Sequence, residues 1–233
     1  MSAVFAAGLI LLAAAAAAGL IAWRPGRLRG VPYALGTAGA ACLATAGGGA
    51  LAGQTVRLNV AGWLAAPAGD GPGSGLAVDP LSGLFLAMAL GAAVPVSAAF
   101  ASWAAGPGSA GPEMAATRML AQGYVLALGA TAVIMTAQDA FTALFGWEAL
   151  TAAFYLLAGA RRGEPDRGGA ARITAGFGKV SGAALLVGLL LLAGRSHSIV
   201  LASFTQVPGG AARTAALVLL LAEFGIKAGL VPF

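Results

Sequence analysis

The sequence predicts an all-α membrane protein of about seven transmembrane helices, and three observations carry that prediction. Hydrophobic residues make up 59% of the 233 residues and charged ones only 9%, against about 25% charged in a globular domain. The 13 basic and 8 acidic residues, with one histidine and a net charge of +5, are too few to wet the surface of a globule of this length. The apolar residues also run in stretches of about 20, the length a helix needs to cross the hydrocarbon core.

Seven stretches qualify: about Val4–Trp23, Tyr33–Gly53, Leu81–Ala101, Met119–Ala137, Ala140–Ala160, Ile173–Gly194 and Thr214–Phe233. The first lacks the basic n-region of a signal peptide and is too long for its apolar core, so it reads as a retained helix. Between the second and third, residues 54–80 are rich in Gly and Pro. Within them Thr55-Val56-Arg57-Leu58-Asn59-Val60 alternates polar and apolar, the pattern of a short hairpin outside the membrane. Pro95 falls inside the third span, where neighbouring helices can re-satisfy the freed carbonyl. Spans four and five are joined by almost nothing and must run antiparallel. Gly49–Gly53, Gly178–Gly182 and Gly225–Gly229 are each Gly-x-x-x-Gly, which either lets helix backbones approach closely or reflects the small-residue composition alone.

The arginines set the orientation. Of 11, all in loops or at helix ends, Arg24, Arg27, Arg29, Arg118, Arg161, Arg162, Arg167 and Arg172 fall in odd-numbered loops, and Arg57, Arg195 and Arg213 in even ones. The positive-inside bias then places the odd loops in the cytoplasm and the N-terminus outside. The reading is a multi-pass protein of a bacterial-type inner membrane, a single transmembrane domain over 1–233. Residues 1–78 supply two helices and an outside loop, and residues 79–233 the remaining five.

Several function classes are excluded or unsupported. The single cysteine, Cys42, rules out a disulfide scaffold. The arginines form no continuous stripe for nucleic acid. There is no His/Asp/Glu metal spacing and no Ser–His–Asp set, so no catalytic residue, cofactor or metal is expected. Gly176-Phe177-Gly178-Lys179 fails as a phosphate loop: no Gly stands five residues before Gly178, and Val180 occupies the Ser/Thr position. His197 is alone in the loop after span six and reads as a solvated loop residue.

Four charges lie within spans. Glu148 is in the fifth, Lys179 in the sixth, and Glu223 and Lys227 in the seventh. A charge at the bilayer centre costs at least about 2.5–3.5 kcal/mol, which makes each a functional candidate. Glu148, the ninth residue of its span, lies about 13 Å in at 1.5 Å per residue, too deep to snorkel. Lys179 lies nearer an interface, so snorkelling or helix glue competes with a transport role. Glu223 and Lys227 are four apart with the acid first, the favoured intrahelical order, and could simply neutralise each other. The sharper reading is a proton gate. A buried ammonium is held charged by a nearby carboxylate and gives up its proton when that carboxylate withdraws, so Lys227 between Glu148 and Glu223 could load and unload. Gly225, Gly229 and Pro232 would weaken the helix around it, as discontinuous helices do at transporter ion sites.

Phe145-Gly146-Trp147-Glu148, followed by Tyr155-Leu156-Leu157, resembles the "WE…YLL" helix of the proton-conducting membrane transporter family. That family comprises the antiporter-like subunits of complex I, of membrane-bound hydrogenases and of multisubunit cation/proton antiporters. Gly225-Ile226-Lys227-Ala228-Gly229-Leu230-Val231-Pro232 is similar to its "G-x-K-A-G-x-x-P" motif, in wording nearest the hydrogenase-4 or formate-hydrogenlyase type. Asp79-Pro80-Leu81-Ser82-Gly83-Leu84-Phe85-Leu86 is similar to its third-helix start, and Asp139 to the acid between helices four and five. The resemblance covers roughly residues 79–233. It implies part of an inverted-repeat bundle in which Glu148 and Lys227 form the ion-transfer pair, with Glu223 a modulator and Lys179 a weaker relay.

The resemblance further implies a proton-translocating subunit of a hydrogenase-4 or NADH-quinone oxidoreductase type complex. Such a subunit has no redox site of its own, and its partners are the other membrane subunits and the lipid bilayer. The alternatives are a subunit of a multisubunit Na⁺/H⁺ antiporter and a truncated, non-conducting scaffold. Glu223 departs from the family, which has a small residue there. The family motif also continues past the proline with "H-x-W-L-P", so the sequence is expected to be the N-terminal part only, completed by a C-terminal half-subunit or a longer chain.

Overall fold

The structure, a computed structural model, describes residues 1–21, 27–58, 75–105, 114–160 and 167–228. Seven α-helices follow one another: α1 (Ser2–Ile21), α2 (Val31–Leu51), α3 (Pro80–Ala105), α4 (Met114–Thr136), α5 (Ala140–Ala158), α6 (Arg167–Ser196) and α7 (Ala211–Lys227). Six of these are long and apolar enough to cross a membrane, and α7 falls short on the residues described. The protein is therefore a multi-pass, all-α membrane protein, with an outer surface of exposed Leu, Val, Ile and Phe side chains.

Most helix boundaries lie within a few residues of the hydropathy limits. The largest differences are at the starts of α4 and α6, where the structure corrects the sequence reading. Arg118 and Arg172, placed in loops or at span edges, stand in the second turns of α4 and α6. Straight-chain arginine is a good helix former, so polar extensions of an apolar helix escape a hydropathy limit. Pro32 sits in the first turn of α2 and Pro95 within α3.

Helices α1–α4 pack around one core, in which Phe5, Leu12, Leu43, Leu86, Leu90 and Val125 are buried. The approach is closest between α2 and α3. A Cβ on Gly47 would stand 2.6 Å from the Gly83 carbonyl oxygen, and one on Gly83 2.9 Å from that of Gly47. From α4 the chain continues as a row, with α5 packed on α4, α6 on α5 and α7 on α6.

One end of the bundle is tied together by backbone pairing. Strands β1 (Val56–Leu58) and β2 (Leu76–Val78) form an antiparallel ribbon with Arg57 opposite Ala77. The expected strand is present as β1, while Asn59 and Val60 lie outside the described residues. The Arg57 amide donates to Ser2 Oγ at 3.2 Å, closing this end over α1.

The turn between α4 and α5 is the hub of the same end. Gln138 donates its amide to the Gly75 carbonyl at 3.0 Å and accepts from the Leu201 amide at 3.0 Å, and the Ala140 amide donates to the Ile199 carbonyl at 2.9 Å. Asp139 caps α5: its carboxylate accepts from the Thr142 amide and hydroxyl, both at 2.8 Å, and from the Gly75 amide at 3.0 Å. It is buried.

Candidate functional site

The four charges in the spans gather on α5, α6 and α7, around two glycines of α6. A Cβ on Gly182 would collide with Glu148 Oε1, and one on Gly178 with Thr151 Cγ2. The Gly178–Gly182 motif thus admits two polar side chains of α5 against the α6 backbone. The other two Gly-x-x-x-Gly pairs differ. Gly53 lies beyond the end of α2 with φ +81°, a left-handed turn with open space around it that suits glycine, so Gly49–Gly53 forms no interhelical groove. Gly229 and Pro232, and with them the expected weakening after Lys227, lie outside the described residues.

Glu148 is ion-paired with Lys179, its Oε2 2.8 Å from Nζ. Lys227 closes no ion pair among the described residues. Its Nζ donates to Thr151 Oγ1 at 2.6 Å, and that hydroxyl in turn donates to the Trp147 carbonyl at 3.1 Å. The ammonium also stands 5.1 Å from the centre of the Trp147 ring, a cation–π distance. The ring itself packs edge-on against Phe224 at 5.3 Å. Both Glu148 and Glu223 are within electrostatic reach of Lys227.

Glu223 is fully buried. The Trp147 indole and the Ser181 hydroxyl face it, yet neither carboxylate oxygen closes a hydrogen bond, and Trp147 Nε1 is likewise unsatisfied. The i,i+4 spacing to Lys227 puts the two on one face of α7 without joining them.

A cavity of about 220 Å³ opens beside Lys227, lined among others by Thr151, Thr174, Phe177 and Ser181. Three hydroxyls around an ammonium can support a short chain of water. No group of three or more His, Cys, Asp or Glu that could hold a metal occurs among the described residues. The lone Cys42 is on α2, away from this site.

Thr151 and Ser181 were not among the residues singled out from the sequence, and Trp147 was named only as part of the resemblance motif. Thr151 follows Glu148 by three positions and Trp147 by four, so all three share one face of α5. That spacing was the available signal.

Residues 137–233 match the family model described as NADH:quinone oxidoreductase/Mrp antiporter, transmembrane. This segment is similar to that family. It begins at the α4–α5 hub, later than residue 79 from which the resemblance was read, and takes in Glu148, Lys179, Glu223 and Lys227. A chain of the membrane-bound sulfane sulfur reductase (MBS), an archaeal respiratory membrane complex, is similar in structure, with a TM-score of 0.70 at 14% identity over 95% of this chain. That likeness is one of fold, and it takes in the helices that precede the family match as well. The present chain spans less than half of that one, 43% of its length. No curated protein matches the sequence.

Proposed function

We propose that the chain is a proton-translocating, antiporter-like membrane subunit of a hydrogenase-4 or NADH-quinone oxidoreductase type complex. It would lie in a bacterial-type inner membrane with its N-terminus outside, and residues 79–233 would form the conducting part. The observation that carries this reading is the pair of polar contacts Lys179–Glu148 and Lys227–Thr151, whose α5 members stand three residues apart between α6 and α7, with Glu223 buried one turn from Lys227.

In this reading Glu148 is the switch. While Lys179 holds it, Lys227 rests on the uncharged Thr151 hydroxyl. When Lys179 withdraws, Glu148 draws in the Lys227 ammonium, a shift of about 4.5 Å of helix rise from residue 151 to 148. A proton taken up by neutral Lys227 from water in the adjoining cavity is held while Glu148 is near and passed on when Lys179 reclaims it. Glu223 modulates the return. Lys179 also argues for neighbouring subunits or further chain: it is about 18 Å into a 30-residue helix, and its side chain is 76% exposed. A charge facing hydrocarbon there is costly, so a protein surface is expected to cover it.

The test is Lys227→Ala in the assembled complex. Coupled proton pumping into inverted vesicles is expected to disappear while the subunit still assembles; unchanged pumping would overturn the assignment. The matching family description also takes in Mrp antiporters, which supports a second reading, a subunit of a multisubunit Na⁺/H⁺ antiporter. Na⁺-driven proton release from vesicles without any redox substrate would favour it.

A further inference from the structure

A second concave site lies at the hub end of the bundle, between the end of α6 and the start of α7. Its volume is about 510 Å³, and its lining includes Arg195, His197, Gly209, Gly210 and Arg213 but no acidic residue. Only three arginines were assigned to the even-numbered loops, and two of them meet here with the only histidine of the sequence. Among the described residues neither arginine is paired with a carboxylate.

The two arginines differ in what the fold explains. Arg195 is in the last turn of α6, where a cation suits the negative end of the helix dipole. Arg213 is in the first turn of α7, a 17-residue helix, where a cation opposes the dipole. One of its nitrogens, Nη1, is anchored by donating to the Val207 carbonyl at 2.9 Å. That bond orients the guanidinium and leaves its other donors for a further acceptor. The first turn of α7 also has no side-chain cap, and its residues Ala211, Ala212 and Arg213 line the same cavity.

We infer that this cavity binds a phosphate-bearing anion, gripped by Arg195 and Arg213 and completed by His197 and the first turn of α7. Arg195 closes a membrane-spanning helix, which puts the cavity at headgroup depth, where a phospholipid phosphate and a free phosphate can both arrive. The site is independent of the ion carried at Lys227 and does not rest on the proposed function.

The experiment uses the full chain purified in a neutral detergent, with binding read by native mass spectrometry and by the thermal unfolding midpoint. Phosphatidylglycerol, phosphatidylcholine and inorganic phosphate are the probes. One phosphatidylglycerol is expected to bind in preference to phosphatidylcholine. The double variant Arg195→Gln/Arg213→Gln is expected to weaken it roughly tenfold or more, and Arg213→Lys to restore part of the loss. If only the lipid binds, the source is a headgroup; if inorganic phosphate binds at the same residues, the source is a soluble anion. Either result supports the site. Equal binding by the double variant, or an equal loss in Arg57→Gln on β1, outside the cavity, would overturn it.

Discussion

Lys227 Nζ donates to Thr151 Oγ1 at 2.6 Å, although Glu148, the carboxylate expected to receive it, stands only three residues away on the same helix. In the proposed reading the hydroxyl holds the Lys227 side chain while Glu148 is engaged with Lys179. Thr151→Val keeps the shape and removes that acceptor, leaving a half-buried ammonium without its bond. Hydrogen bonds to charged groups contribute about 1.5–3 kcal/mol, so proton flux in inverted vesicles is expected to fall about tenfold or more. Thr151→Ser is expected to retain most of it. Equal flux in the Val and Ser variants would show that the hydroxyl has no part in transfer.

The Lys179–Glu148 pair can be tested independently of transport. If the 2.8 Å contact is their main interaction, Lys179→Gln and Glu148→Gln remove the same thing. The double variant is then expected to unfold in detergent at nearly the midpoint of the worse single variant. A coupling of about 0.5–1 kcal/mol is expected, given the exposure of Lys179. Strictly additive losses would mean that the pair contributes nothing to the α5–α6 contact.

How far the sequence revealed this site depended on the kind of information involved. Glu148, Lys179, Glu223 and Lys227 were all legible because a charge in an apolar run is costly and stands out in hydropathy. Gly178 and Gly182 were legible as a close-approach motif, and the resemblance placed Glu148 and Lys227 in one family pattern. The pairing was not legible. Whether Glu148 meets Lys179 or Lys227 depends on the rotation and sliding of α5 against α6 and α7, which no single-helix periodicity encodes. Thr151 was invisible for a different reason: threonine in a membrane helix commonly bonds its own backbone four residues back, as Thr37 does to the Tyr33 carbonyl at 2.9 Å. The ribbon was half legible, since alternation marks β1 but β2, Leu76-Ala77-Val78, is apolar throughout and shows no alternation.

Gly182 is predicted to matter to transport more than to insertion. A methyl group there would meet Glu148 Oε1, forcing the carboxylate away from Lys179 or the helices apart. Overpacking of this kind costs about 1–3 kcal/mol, so Gly182→Ala is expected to reduce flux about tenfold with normal amounts of protein in the membrane. Gly48→Ala is the matched control, since nothing lies within 4 Å of its would-be Cβ. Comparable flux in the two variants would count against close α5–α6 packing at Glu148.

Asp139 is predicted to hold the hub end together rather than to carry ions. Its buried carboxylate caps α5 through Thr142 and takes the Gly75 amide beside β2, and its backbone forms the bridge to Val200 before α7. Asp139→Ala removes a cap, at about 0.5–2 kcal/mol, and strands the buried Gly75 amide, at about 1–3 kcal/mol. Asp139→Asn keeps one acceptor oxygen and is expected to lose roughly half as much. The order wild type, Asn, Ala should appear in thermal unfolding midpoints, with the vesicle flux per folded molecule little changed. Loss of flux without loss of stability would instead make Asp139 part of the ion path, because a group that only ties loops together cannot affect transport without first loosening the fold.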